Sequence, residues 1–179
     1  MASTQGVERG LKRFEGFTDA VFAIALTLLF LEIKPPGSPD GPPAGAHPAR
    51  AVAEQWREHL ALIVSFLGIG IYWLQHHYSG RLYAKSDHIF SLLNLGFLFA
   101  IMALPYPAGL WAHHVGTPGE AASRILAALL LMPSLFWMLK WLYATSGQRM
   151  IDRRLAPDFV RQMTRRYTIG ASVLALALL

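Results

Sequence analysis

Five polar residues stand inside or at the edge of long apolar runs: Asp19, Thr27, His76, His77 and Asn94. A carboxylate grouped with two histidines can relay protons or hold a metal ion. A ring of threonine hydroxyls can offer oxygen to a cation. The geometry is poor for a metal, because adjacent helical residues point about 100° apart and zinc favours i, i+4 spacing or ligands from elsewhere. His113 and His114 fall in a segment without Lys or Arg and read as solvated loop residues. No P-loop, dinucleotide fingerprint or nucleophile–base pair is present. The absence of cysteine removes thiol redox and thiolate-metal chemistry. No catalytic residue, metal ligand or cofactor is therefore expected.

The elements that must carry these residues follow from composition. The chain has 179 residues, of which 54% are hydrophobic and 15% charged, whereas soluble domains sit near a quarter charged. Disorder and coiled coil are excluded by the low charge. The net charge of +5 is carried by basic residues that flank apolar runs, which is where membrane topology puts them and not where nucleic-acid binding would. The chain reads as a single all-α integral membrane domain over residues 1–179. Helices are expected over about 14–33, 58–79, 87–105, 121–145 and 166–179, with an external loop over about 34–56. The last of these has only about a dozen residues left, too few to span, so four complete spans and part of a fifth are expected. Nine of the residues between Lys34 and Arg50 are Pro or Gly, as suits an exposed loop. Pro105 and Pro107 should end the third span, and Pro133 should kink the fourth.

Orientation comes from the basic residues. Eleven of them (Arg9, Lys12, Arg13, Arg81, Lys85, Arg149, Arg153, Arg154, Arg161, Arg165 and Arg166) fall on one side of the spans, against Lys34, Arg50, Arg57 and Arg124 on the other. The positive-inside rule then puts the N-terminus in the cytoplasm, and the inner (plasma) membrane of the cell is the expected location. The run from Arg149 to Arg166 sets topology and touches anionic headgroups of the lipid bilayer. Trp56 and Trp111 are expected in the outer aromatic belt, and Trp137 and Trp141 in the inner one.

On the first helix, Ala20, Ile24, Thr27, Leu28 and Leu31 lie within an arc of about 100°. Two readings of that face compete. It can be a helix–helix seam, with the Thr27 hydroxyl bonded back to a carbonyl one turn earlier. Alternatively, copies of the helix surround an axis, the aliphatic residues narrow it, and the hydroxyls meet a passing cation. Asp19 lies about 100° off the stripe and, as a membrane carboxylate, needs a partner. His76, His77, Arg81 and Asn94, at similar depth, are the expected candidates, in a polar belt more structural than chemical.

The segment Arg13-Phe14-Glu15-Gly16-Phe17-Thr18-Asp19, with the aliphatic run Ala20 to Leu29 after it, resembles the R-x-x-x-F-S-D signature of prokaryotic relatives of the endolysosomal potassium channel, the transmembrane protein 175 family. Trp73, His76, His77, Asn94, Leu95, Pro105 and Pro107 are similar to that family's second and third helices, so the likeness runs from about Arg9 to Tyr143. Thr18 stands where serine is usual and keeps the hydroxyl. The resemblance implies six helices per subunit and a homotetramer whose four first helices line a central pore, with a hydrophobic constriction in place of a carbonyl filter. It also implies potassium ions as the permeant species. By position, Ile24 matches the constriction, Thr27 the layer linked to potassium preference, and Leu28 and Leu31 further narrowings. Arg13, Phe17, Thr18 and Asp19 would knit the helices together near the cytoplasmic side.

Other classes stay open at this point. A proton-conducting channel or transporter would use Asp19 and the His pair. A metal-dependent membrane enzyme would use the same residues around a metal. The uninterrupted first span and the lack of an internal repeat favour a channel over a transporter.

Overall fold

The computed structural model describes residues 4–41, 43, 47–116, 121–152 and 154–178, without the side chains of 4–9, Pro48 and Ser123. The helices are α1 (Thr4–Glu32), α2 (Pro48–Glu54), α3 (Trp56–Gly80), α4 (His88–Ala103), α5 (Pro105–His114), α6 (Ala121–Thr145) and α7 (Pro157–Leu176). Among the described residues, β-pairing is confined to a single antiparallel bridge between Tyr83 and Ile151. Among the described residues, four segments are long and apolar enough to cross a membrane: Gly10–Glu32, Trp56–Gly80, His88–His114 and Arg124–Gln148. Helices suit that setting because each satisfies its own backbone hydrogen bonds without water. The protein is thus an all-α, multi-pass membrane protein.

Four features of the helices depart from the sequence expectation. Pro105 does not stop the third span. The chain only breaks step at Leu104, whose N–H reaches Ile101 O at 3.2 Å, and α5 restarts with Pro105 in its first turn. Proline is tolerated there because a first-turn N–H has no intrahelical acceptor to lose. His113 and His114 consequently close a helix, and His114 Nδ1 pairs with Leu110 O at 2.8 Å. At the other end of the chain α7 starts at Pro157, well before Tyr167, with Pro157 and Asp158 forming its first turn. Its basic, polar first half is helical because Met163, Thr164 and Tyr167 pack on α6. Lastly, α1 begins at Thr4, and the external loop contains the seven-residue α2.

The core sits where α1, α3, α4 and α6 meet. Phe22, Leu29, Ile69, Phe97, Ile101 and Trp137 are its centre. A second cluster (Tyr83, Phe90, Trp141, Met150 and Ile151) closes the end of the bundle that carries Arg81, Lys85, Arg149 and Arg154, hereafter the basic end. Trp137 and Trp141 are therefore not belt residues. Both are buried, their rings meet Tyr167 edge-on, and Trp141 Nε1 donates to Thr164 Oγ1 at 2.8 Å. An indole inside a bundle satisfies its polar edge with a neighbouring helix as readily as with an interface. Pro133 is accommodated within a continuous α6.

Close helix approach explains one glycine. A Cβ on Gly96 of α4 would collide with the Phe136 ring of α6, so the missing side chain sets the spacing of the two helices. At the basic end, Gly147 turns the chain after α6 with φ 61°, a value glycine adopts without strain.

Candidate pore helix and its polar network

Helix α1 divides into two faces. Thr18, Phe22, Ala25 and Leu29, spaced four, three and four residues apart, are buried against α3 and α4. Opposite them, Ile24, Leu28 and Leu31 are 55%, 46% and 65% exposed, and Ala20 and Thr27 are exposed with them. The predicted arc is thus a face that the described residues leave uncovered. That uncovered surface is wider than the arc, since Phe17 and Phe30 belong to it too. Thr27 Oγ1 donates to Ala23 O at 2.8 Å. This spends the hydroxyl proton on the backbone and leaves the oxygen lone pairs free to accept.

The buried face carries polar groups that are bonded across helices. Thr18 Oγ1 donates to Phe14 O at 3.0 Å and accepts from Asn94 Nδ2 at 2.9 Å. Asn94 Oδ1 in turn accepts from Lys140 Nζ at 3.0 Å. All three side chains are buried. Lys140 forms no ion pair among the described residues; its ammonium lies 4.2 Å from the Trp137 ring centroid and 4.9 Å from that of Phe97. Aromatic faces supply negative potential to a cation that lacks a counter-ion. Lys140 is the residue that the sequence reading missed. It lies deep in the fourth apolar run, whereas Arg124 stands at that run's start, and an intramembrane charge is the signal that could have found it.

Asp19 has a different partner from those expected. Its Oδ1 accepts from Trp73 Nε1 at 3.0 Å, while Asn94 is engaged by Thr18. Trp73 is not among the partners expected from the sequence, yet its N–H is a donor that needs an acceptor inside a bundle. Asp19 does share a cavity of about 230 Å³ with Glu15, His76, His77, Gly80 and Arg81. Within it, His76 is buried and stacks on Phe22 at 6.1 Å, and His77 stacks on Trp73 at 5.5 Å. Gly80 lets the Glu15 carboxylate close on α3, since a Cβ there would sit 2.8 Å from Glu15 Oε1. Arg13 and Phe17 are both exposed on the single chain and join neither network. Among the described residues, no group of three or more His, Asp or Glu gathers to hold a metal.

At the basic end, Asp87 caps α4 by accepting from Phe90 N at 2.8 Å and ties it to α6 by accepting from Tyr143 Oη at 2.6 Å. Partial desolvation works to raise its pKa. The Tyr143 and backbone hydrogen bonds, with the Arg149 charge, outweigh that and hold the carboxyl below its ordinary value.

The family model described as endosomal/lysosomal potassium channel TMEM175 matches residues 13–105. A Streptomyces collinus protein named as a potassium channel is 33% identical over 161 residues, covering 89% of this chain and 76% of that protein. A Chamaesiphon minutus protein, also named as a potassium channel, is 30% identical over 166 residues, covering 92% and 81%. The crystal structure of a lysosomal potassium-selective channel TMEM175 homolog from Chamaesiphon minutus matches with a TM-score of 0.73 at 28% identity, covering 94% of this chain and 84% of that one. The chain belongs to the TMEM175 family and is a membrane protein of an ion-channel family, not an enzyme.

Proposed function

We propose that this chain is the subunit of a potassium-permeable channel in the plasma membrane, a homotetramer whose four α1 helices line the conduction path with the N-terminus in the cytoplasm. The observation that carries the reading is the split of α1: one face is fastened to α3 and α4, and the opposite aliphatic face is left bare except for the Thr27 hydroxyl. Around a four-fold axis that face would make hydrophobic rings at Ile24, Leu28 and Leu31, which resist ions by dewetting, and a hydroxyl ring at Thr27 able to replace part of a hydration shell. The names of the two bacterial relatives support potassium as the ion. Lys140, Asn94, Thr18 and Asp19 then act as the fastening that holds α1 in register. The proposal is tested by ion flux from liposomes that contain the purified protein. Potassium efflux well above that of empty liposomes, exceeding sodium efflux, is the expected result.

A second reading has its own observation. One cavity gathers Glu15 and Asp19 of α1 with His76 and His77 of α3, next to Arg81, and such a cluster can pass protons. A pH-sensitive dye in the same liposomes separates the two readings: proton entry without potassium efflux supports the second.

A further inference from the structure

Between α3, α6 and α7 lies a groove of about 290 Å³ that the conduction path does not use. Its deeper part is apolar, walled by Gly68, Ile71, Leu130 and Leu174. Its end towards the basic side carries Gln75 of α3 and Arg166 of α7. Arg166 is the last charged residue of the chain, and everything after it is apolar or uncharged. Arg161 and Arg165 are exposed on the same helix. Trp137 forms part of the wall, is 2% exposed, and its Nε1–H finds no acceptor among the described residues. A buried donor without an acceptor is costly and asks for one.

These features describe one kind of occupant. The groove is apolar at depth, cationic at the headgroup level, and supplied with donors but no carboxylate among its lining residues. We infer that it binds an anionic glycerophospholipid from the leaflet on the basic side. The phosphate would meet Arg166 and Gln75, an ester carbonyl would satisfy Trp137, and an acyl chain would run between Ile71 and Leu174. Charge complementarity favours an anionic over a zwitterionic headgroup. A peptide segment would satisfy the apolar wall but has no reason to bring a negative group to Arg166.

Gly170 allows a direct test. It lines the groove, and a Cβ added there meets nothing within 4 Å, so Gly170→Phe fits the backbone while its ring fills the space. The purified protein is incubated with equal amounts of phosphatidylglycerol and phosphatidylcholine, and retained lipid is counted by native mass spectrometry. The wild type should retain phosphatidylglycerol about fivefold over phosphatidylcholine, the scale of one basic residue at an anionic surface. Arg166→Gln should erase that preference, Arg165→Gln should leave it, and Gly170→Phe should lose bound lipid of both kinds. Equal retention of the two lipids by the wild type would overturn the inference. So would a folded Gly170→Phe that holds as much phosphatidylglycerol as before. Loss of assembly in Gly170→Phe, with Arg166→Gln keeping the lipid preference, would assign the groove to protein contact and overturn it as well.

Discussion

Lys140 Nζ lies 3.0 Å from Asn94 Oδ1, and Asn94 Nδ2 lies 2.9 Å from Thr18 Oγ1, so a buried ammonium on α6 is wired through α4 to the helix proposed to line the pore. Removing the middle member strands the charge. Asn94→Leu is expected to cost about 3–5 kcal/mol, the scale for an orphaned buried charge. Adding Lys140→Met to it should recover most of that loss, because a matched apolar pair is often as stable as the polar one. Thermal unfolding of the two single variants and the double variant measures the coupling. Additive losses would mean that the contact carries no interaction energy.

Asp19 and Trp73 make a second cross-helix tie. Asp19→Asn keeps an oxygen for the Trp73 N–H and should stay assembled and conducting. Asp19→Ala leaves that donor unpaired and should lose about 1–3 kcal/mol. Size-exclusion profiles and potassium flux are measured together on both variants. A well-assembled but silent Asn variant would move Asp19 from fastening to chemistry.

The Thr27 hydroxyl makes the back-bond of the seam reading, and that bond is compatible with ion contact. The proton is donated to Ala23 O, and the oxygen can still face an ion. Thr27→Val is nearly isosteric and should lower potassium-over-sodium discrimination by about 1 kcal/mol, roughly fivefold in permeability ratio. Reversal potentials under bi-ionic conditions read it, and an unchanged value would leave the hydroxyl as a helix back-bond alone.

Replacing Ile24 or Leu28 by Ser should raise conductance by wetting the constriction. Leu26, which packs towards the core, should respond in stability instead. If Leu26→Ser raised conductance as much, the face would be wrongly assigned.

Asp87 predicts a pH dependence. Its carboxyl is held below its ordinary value when folded, so its contribution to stability is present above the unfolded pKa and fades as pH falls through the folded one. The melting temperature should therefore drop on acidification below about pH 4, and Asp87→Asn should flatten that limb. An identical acid limb in the variant would assign it to other groups.

Long apolar runs and flanking charge were enough to read an all-α membrane fold from the residues, because a bilayer leaves a spanning segment few options. The signature around Asp19 pointed to the family. What stayed hidden depended on which helix stands next to which. The Trp73 acceptor, the burial of Trp137 and Trp141, and the Lys140 cage all involve residues from different spans. Pro105 misled because a proline that stops one helix serves equally well as the first turn of the next.

The central claim, that the bare face of α1 lines a potassium path, is best tested by cysteine accessibility during conduction. The chain has no cysteine, so Leu31→Cys and Leu26→Cys each carry a single thiol. A charged, membrane-impermeant thiol reagent added to a bilayer conducting potassium should abolish most of the current through Leu31→Cys and leave Leu26→Cys unchanged. Equal insensitivity of both variants, in channels that conduct, would contradict it.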